Sequence, residues 1–149
     1  MDGRLPGRVD SVAFARGRQE LSGEVDGERL PRLAEAGATT EGPVDWSAQG
    51  STGRDELDRL REFLTIRAAF RPVIPCARCL EPVTLERVDV TNRFRFAASE
   101  EQAAREDRVA QDCDVIAHDN QLDLGALIED EVLLALPMFA THEICPDQL

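Results

Sequence analysis

The sequence contains no lysine and no tyrosine, and only one tryptophan and two histidines. All 17 basic residues are therefore arginines, and 29 acidic residues outnumber them to give a formal net charge of −12. A protein that coats bare nucleic acid needs clustered positive charge to neutralise the phosphates. The overall charge therefore argues against a simple nucleic-acid coating protein and leaves room only for a local basic surface.

Long apolar runs are also missing from the sequence. No segment approaches the roughly 20 apolar residues that a membrane-spanning helix requires. Residues 1–7 have neither the charged start nor the apolar stretch of a secretory signal peptide. We therefore predict a cytoplasmic protein with no membrane partner. In that compartment, four cysteines indicate metal binding, redox chemistry or simple burial rather than a disulfide framework.

The length of 149 residues suits a single domain spanning 1–149, and 42% apolar residues are enough for a hydrophobic core. The middle of the chain has the clearest β-strand pattern, because every second residue from Leu64 to Phe70 is apolar. A weaker alternation predicts a strand over residues 44–48. The turn-forming residues within 50–54 predict a loop after that strand.

Two later segments leave alternatives open. Residues 83–96 are apolar in two different alternation phases, which predicts either one strand with a bulge near Glu86 and Arg87 or two separate strands. Residues 97–121 are mostly polar and acidic, and their first half predicts either an exposed helix or a flexible acidic loop. The loop is favoured, because no stripe of large apolar residues would dock such a helix.

Residues 122–136 predict the strongest helix, which Asp123 caps at its start and Pro137 ends. Apolar residues recur in this helix at spacings of three and four and form one stripe, made up of Leu124, Leu127, Ile128, Val132 and Ala135. The three leucines within residues 133–136 widen the apolar surface and predict that this end is deeply buried. Trp46 and the six phenylalanines are also expected in the core.

These elements predict a single-domain α+β fold. We expect an antiparallel β-sheet built around residues 64–96, packed by the C-terminal amphipathic helix and by short N-terminal helical elements. One of those elements is a short helix over residues 28–36, ended by Gly37. We expect the C-terminal helix to pack on this sheet, because the stripe of the helix and one face of the alternating strand are both apolar.

Charge is distributed unevenly along the chain. Residues 63–97 hold six arginines and three acidic residues, whereas residues 98–149 hold two arginines and 13 acidic residues. The candidate partner-binding cations lie on the predicted strands and are Arg67, Arg71, Arg93 and Arg95. One interpretation is that their guanidinium groups pair with the acidic helix and loop. The other is that they form a basic strand face that contacts phosphate.

The predicted helix carries three successive acidic residues, Glu129, Asp130 and Glu131. Successive helical side chains point in different directions, so they make a poor cation site. A solvated or arginine-paired face is favoured, and these residues are candidates for binding a basic partner. The sequence has no glycine-rich phosphate loop and no nucleophile elbow, so we predict neither enzymatic activity nor a small-molecule substrate.

Cys76 and Cys79 form a Cys-x-x-Cys motif at the predicted turn between two strands, where both thiols can bind one zinc ion. The motif is half a site, and His142-x-x-Cys145 has the matching spacing to complete it, with Cys113 and His118 as further candidates. Reduced, partly buried thiols are the alternative to zinc. Redox chemistry is less favoured, because a redox Cys-x-x-Cys usually opens a helix.

The order of several motifs resembles the YceD family, the large ribosomal RNA subunit accumulation proteins. The resemblance covers roughly residues 10–145 and rests mainly on Cys76-Ala77-Arg78-Cys79-Leu80-Glu81-Pro82 and on residues 122–137 followed by His142. It implies a cytosolic, non-enzymatic factor linked to the synthesis, processing or stability of 23S ribosomal RNA. Some members carry a second cysteine pair after the helix that would complete a zinc site, whereas this chain has His142 and Cys145 there.

Three functional hypotheses follow. In the first, the strand arginines contact a ribosomal RNA precursor, and the acidic residues 98–149 recruit a basic ribosomal protein, since charge complementarity selects partners. In the second, the chain is an acidic interaction module that binds a ribosomal protein or processing enzyme without touching RNA. The third, a thiol or zinc enzyme, requires a second ligand set or a cysteine of low pKa.

Overall fold

A computed structural model describes residues 3–146, which form ten β-strands, four α-helices and a 3-10 turn at Gly27–Arg29. In chain order the strands and helices are β1 (Arg8–Val9), α1 (Ser11–Arg16), β2 (Glu20–Asp26), α2 (Pro31–Glu35), β3 (Thr39–Thr40), β4 (Pro43–Arg54), β5 (Leu60–Phe70), β6 (Pro72–Pro75), β7 (Pro82–Thr84), β8 (Val88–Ala97), α3 (Glu100–Asp107), β9 (Asp114–Ala117), β10 (Leu122–Asp123) and α4 (Leu124–Ala135). This architecture confirms the α+β fold class. No helix within residues 3–146 is long and apolar enough to cross a bilayer.

The largest sheet has five strands in the order β2-β4-β5-β8-β9. Its first four strands pair antiparallel, as expected, while β9 adds to the edge in parallel with β8. The alternation predicted for β5 is confirmed, because Leu64, Ile66, Ala68 and Phe70 are all buried. Smaller pairings complete the fold: a three-stranded sheet in the order β3-β6-β7, and β1 with β10.

The two alternation phases in residues 83–96 belong to two separate strands. β7 pairs with β6 in the three-stranded sheet, whereas β8 pairs with β5 in the five-stranded sheet. Between them, the Leu85 amide donates to the Pro72 carbonyl at 2.8 Å. The chain therefore changes sheets at residues 85–87, so the alternative of two strands is correct and no bulged single strand is needed.

Helix α4 begins at its expected cap, where the Asp123 carboxylate accepts a hydrogen bond from the Ala126 amide at 3.0 Å. Leu124, Ile128 and Val132 are fully buried in the same core cluster as the inward residues of β5 and β8. The end of the helix is not deeply buried, contrary to the sequence-based expectation, because Leu134 is 78% exposed. Leu134 follows Val132 by two residues, about 200° around a helix, and so faces away from the sheet.

Residues 97–121 contain α3 and β9, where the sequence favoured a flexible acidic loop. The Ser99 hydroxyl caps α3 by accepting from the Gln102 amide at 3.1 Å, and Ala103 is buried in a small cluster with Val115. The physical reason is that a short alanine side chain lets the helix lie close to the sheet edge, so a stripe of large apolar residues is not required. Residues 50–54 also differ from the expectation, because they extend β4 instead of forming a loop.

The N-terminal helical region is shorter than the single helix expected over residues 28–36. It consists of the 3-10 turn and α2, and Gly37 follows with a φ of +77°, the left-handed conformation expected of a residue just after a helix. The arrangement places Leu30 and Leu33 in the main core. It also places Arg32 beside α4, where it contacts the acidic residues of that helix.

Candidate metal centre and charged surfaces

Four potential metal ligands meet at one end of the three-stranded sheet. Cys76 and Cys79 lie in the turn between β6 and β7, and His142 and Cys145 come from the segment after α4. Their ligand atoms all lie within 4.8 Å of one another. The pairing of the two half-sites by spacing is therefore confirmed. The further candidate Cys113 lies in a different cluster, beside Ala103 and Val115.

A tight turn presents the first two thiols. The Cys76 amide donates to the Glu81 carbonyl at 2.8 Å, and the Leu80 amide donates back to the Cys76 carbonyl at 2.9 Å. Leu80 has a φ of +67°, a left-handed conformation that is uncommon for a leucine. The turn also brings the Arg78 amide 3.4 Å from the Cys76 Sγ.

The second half-site is fixed to this turn by backbone contacts. Ala140 bridges to Cys76 in parallel, and the Ala77 amide donates to the Ala140 carbonyl at 2.8 Å. The Arg78 guanidinium donates to the His142 carbonyl. Backbone contacts therefore join the segment that follows α4 to the turn, in addition to the four clustered side chains.

Two of the interatomic distances match those of tetrahedral zinc. The Sγ atoms of Cys76 and Cys145 are 3.8 Å apart, and the Cys79 Sγ lies 3.5 Å from the His142 Nδ1. Zinc bonds of about 2.3 Å to sulfur and about 2.0 Å to nitrogen give tetrahedral edges of roughly 3.8 Å and 3.5 Å. The His142 Nε2 lies 2.9 Å from the Pro82 carbonyl. Nε2 is thus placed to donate there, which leaves Nδ1 free as a ligand.

The electrostatics of the cluster also favour a cation. Burial raises the pKa of Cys76, but hydrogen bonds from the backbone at Cys79, His142 and Arg78 outweigh it and hold the pKa below its usual range. Burial and the neighbouring thiols raise the pKa of Cys145. The cluster therefore contains one readily formed thiolate beside a thiol that resists ionisation. A divalent cation would stabilise both as thiolates, so the cluster can hold a zinc ion.

Two of the four candidate strand arginines remain partly exposed. The Arg67 guanidinium donates to Asp89 at 3.0 Å on the neighbouring strand. Arg71 donates to the Leu85 carbonyl at 2.9 Å and lies 3.7 Å from Glu41. Both side chains keep about half of their surface in solvent, but each already has a carboxylate beside it.

The other two arginines line a cleft of about 470 Å³. Arg93 stacks over the Phe63 ring at 3.7 Å and lies 3.7 Å from Asp112. Arg95 is only 3% exposed and is held between Glu56 and Glu106 at 3.1 and 3.0 Å. Its guanidinium is therefore already paired with two carboxylates.

The three successive acidic residues of α4 are paired with groups from other elements. Glu129 accepts from the Arg32 amide at 3.1 Å and from the Arg32 Nε at 2.9 Å, and Asp130 accepts from the same guanidinium. Glu131 accepts from Asn92 at 2.9 Å. Glu129 and Glu131 are buried, so only Asp130 offers a substantial exposed carboxylate. Sequence reasoning missed Arg32 as the partner of Glu129, because the two residues are 97 positions apart in the chain.

Comparison with known proteins gives one informative match. A family model described as "Large ribosomal RNA subunit accumulation protein YceD" matches residues 64–149. The matched region is more than half of the chain and contains most of β5, all of β8 and α4, and the four residues of the Cys/His cluster. No solved structure matches the chain.

Proposed function

Because the chain belongs to the YceD family of large ribosomal RNA subunit accumulation proteins, we propose that it is a non-enzymatic factor supporting the synthesis, processing or stability of 23S ribosomal RNA. Family membership implies a role in accumulation of the large-subunit RNA. The observation that carries the proposal is the family match over residues 64–149. The family is described by RNA accumulation and not by a catalytic reaction.

The Cys/His cluster supports a structural role for zinc in this factor. Four protein ligands, from Cys76, Cys79, His142 and Cys145, would fill a tetrahedral coordination sphere. Catalytic zinc sites typically use three protein ligands and keep a fourth position for water or substrate. A closed site of this kind joins the turn after β6 to the segment after α4 and offers no position for a reaction.

The charge arrangement favours a protein partner over direct contact with RNA. Arg95 is buried, and Arg67, Arg71 and Arg93 each have a carboxylate close by. An RNA phosphate would have to displace these carboxylates from a protein whose net charge is −12. We therefore favour recruitment of a basic ribosomal protein or processing enzyme. Direct RNA contact is the second candidate, because the guanidinium groups of Arg67 and Arg71 remain partly exposed.

Depletion of the protein in its native cell tests the family-level role. We expect the ratio of 23S to 16S ribosomal RNA and the yield of large subunits on sucrose gradients to fall, and the wild-type chain to restore both. Unchanged 23S levels after complete depletion would contradict the proposed function.

The same cells separate the two modes of action. We expect the Arg67→Ser/Arg71→Ser variant to restore 23S levels to the same extent as the control variant Arg18→Ser/Arg29→Ser. The control replaces two exposed arginines away from these positions. Ultraviolet crosslinking to RNA should be equally weak for both double variants. Loss of an RNA crosslink and of 23S restoration in the first variant alone would instead support direct RNA contact.

A further inference from the structure

The segment that follows α4 displays large apolar side chains to solvent. Five of the six phenylalanines are buried, but Phe139 is 74% exposed, and Met138 is 100% exposed. Leu134 and Leu80 are also more than three-quarters exposed. We call Leu80, Leu134, Met138 and Phe139 the apolar rim. Contiguous exposed apolar surface on a folded protein commonly marks an interaction site.

Part of the apolar rim surrounds a groove of about 310 Å³. Leu80, Met138 and Phe139 line it together with Ile74 and Leu136, so its walls come from both the cysteine turn and the segment after α4. Binding pockets typically measure about 300–1,000 Å³, and this groove lies at the lower end of that range. Its size suits one or two protein side chains better than a large ligand.

The apolar rim is displayed by ordered backbone. Pro137 stops α4, and within three residues the Ala140 carbonyl accepts from the Ala77 amide at 2.8 Å. Arg78 then holds the His142 carbonyl, and Cys145 is buried beside Cys76. Met138 and Phe139 therefore lie between two fixed points, so their exposure is a feature of the fold.

The charge around the rim selects the kind of partner. Residues 109–146 contain eight acidic residues and no arginine or lysine. The exposed Glu35 adjoins the groove-lining Ala36 and the exposed Glu143 follows the rim in sequence, whereas Asp130, one helical turn before Leu134, is paired with Arg32. Arg32 is paired with Glu129 and Asp130, and the guanidinium of Arg78, in the cysteine turn, donates to the His142 carbonyl.

This negative surround disfavours three possible occupants. A second copy of the chain would bring another net charge of −12, and RNA or an anionic lipid surface would bring phosphates. Cationic side chains would instead be attracted and oriented. An apolar groove with an acidic surround therefore matches a basic peptide segment that contains large apolar residues.

We propose that the groove and the apolar rim bind a short arginine- or lysine-rich segment of a partner protein. The segment inserts one or two large apolar side chains beside Leu80 and Phe139 and places its cations near Glu35 and Glu143. This inference rests on the protein-docking form of the proposed function and adds to it the surface used and the chemistry of the partner.

Photocrosslinking from the full-length chain in its native cell tests the proposal. A photoreactive amino acid replaces Met138 in one variant and Leu57, which is exposed in the turn between β4 and β5, in the control. We expect position 138 alone to crosslink to a protein, and mass spectrometry to map the crosslink to a segment rich in arginine or lysine. Crosslinks to the chain itself, to RNA or lipid, or to the same proteins as the control overturn the proposal, as does the absence of a crosslink.

A synthetic peptide of the mapped segment then provides a binding measurement by fluorescence anisotropy. We expect Leu134→Ser/Phe139→Ser to weaken peptide binding at least tenfold, while the control Leu57→Ser/Leu60→Ser binds as tightly as wild type. We also expect added salt to weaken the binding of the peptide to the wild-type chain. Equal affinity of both double variants would overturn the proposal. All four leucine and phenylalanine side chains are exposed, so both variants should fold, and zinc content and thermal stability verify this.

The outcome is separable from that of the proposed function. If Leu134→Ser/Phe139→Ser binds the peptide normally and restores 23S levels, the docking surface is wrong while the family-level role stands. If depletion leaves 23S levels unchanged, the proposed function fails, and crosslinking with peptide binding still decides whether the groove binds a basic segment.

Discussion

His142 shows how one backbone contact can prepare a side chain for metal binding. Its Nε2 is placed to donate to the Pro82 carbonyl at 2.9 Å, and its Nδ1 points to the Cys79 Sγ at 3.5 Å. A ligating histidine commonly uses its second ring nitrogen in this way, which fixes both the tautomer and the ring orientation. The metal centre therefore depends on the β6–β7 turn for orientation as well as for two thiols.

The candidate zinc site gives a direct residue-level prediction. We expect the purified chain to contain about one zinc ion, and Cys145→Ser to lower the zinc affinity by more than the roughly 10–100-fold typical of losing a ligand's supporting hydrogen bond. Elemental analysis and competition with a chromogenic chelator measure this. Cys113→Ser is the matched control, because Cys113 is outside the cluster, and it should keep its zinc. Equal zinc content in both serine variants, or none in wild type, would refute the site.

A second residue-level feature is the carboxylate of Glu106, which two buried guanidinium groups share. Arg61 lies 2.7 Å and Arg95 3.0 Å from the same Glu106 oxygen. Burial raises the pKa of Glu106, but hydrogen bonds from Arg61 and Gln102 and the two positive charges outweigh it and lower the pKa. The folded state therefore favours the ionised carboxylate.

This sharing predicts a pH-dependent loss of stability in Glu106→Gln. We expect the free energy of unfolding to fall by about 2 kcal/mol at pH 7, less than the roughly 3–5 kcal/mol of a fully unpaired buried charge, since Asp55 and Glu56 remain beside the arginines. Because the pKa of Glu106 is lowered in the folded state, its ionised carboxylate stabilises the fold at pH values above the unfolded-state pKa of about 4.3. This stabilisation is lost as the pH falls through the folded-state pKa. The difference in the free energy of unfolding between wild type and Glu106→Gln should therefore become smaller below about pH 4.

Urea unfolding at several pH values measures this gap. Glu101→Gln serves as the control, because Glu101 lies exposed on the same helix, α3. It should change stability little at any pH. A gap between wild type and Glu106→Gln that stays constant down to pH 3 would contradict the assigned role of the Glu106 charge.

At the scale of elements, the packing of α1 on β4 explains why the glycines at residues 50–54 do not form a turn. A Cβ atom on Gly50 would lie 2.4 Å from the Phe14 carbonyl oxygen and 2.8 Å from the Ala15 Cα. Gly50 is therefore required where the backbone of α1 crosses the strand. The actual turn comes later, where the Asp55 carboxylate accepts from the Leu57 and Arg59 amides at 2.9 and 3.0 Å.

Substitution of this glycine tests the close approach. We expect Gly50→Ala to lower the free energy of unfolding by about 1–3 kcal/mol, because the clash is with backbone that must move as a unit. Gly53→Ala on the same strand is the control and should cost less, since its Cβ would meet side-chain atoms and no backbone, the nearest being the Phe63 ring edge at 3.3 Å. Urea unfolding of both variants gives the comparison. Equal destabilisation would show that α1 does not constrain Gly50.

Elements whose local pattern agrees with their burial were predictable from the sequence. The strand β5 and the helix α4 both show the periodicity of a buried face, and the two half-sites of the metal centre share a spacing. The sequence left α3 open as one of two alternatives and favoured a loop, because the helix is buried through the small side chain of Ala103 and not through a stripe of large apolar residues. The pairing of Arg32 with Glu129 and of Arg95 with Glu56 was also inaccessible, since these residues are far apart in sequence and are brought together only by the fold.

At the scale of the whole molecule, the positive segment of the sequence does not become a positive face. Its strand arginines are met by Glu41, Glu56, Asp112 and Glu106 from outside residues 63–97, and by Asp89 from within. The excess of acidic residues then remains for the surface, including the surroundings of the apolar rim. Charge separation along the chain is therefore largely cancelled by folding, which favours a basic protein partner over RNA.

The molecule has a main hydrophobic core and a small separate cluster at the metal centre, formed by Cys76, Val83 and Cys145. Because so few buried residues support that cluster, we expect a strong chelator to loosen residues 74–84 and 137–146 while the five-stranded sheet stays folded. Hydrogen exchange with mass spectrometry should show faster exchange in those two segments alone, and zinc should restore protection.

Cys145→Ser in the presence of zinc should reproduce the chelated pattern, and Cys113→Ser should not. Exchange that accelerates across β4, β5 and β8 as well would show that the metal centre stabilises the whole fold, and no change at all would show that the cluster needs no metal.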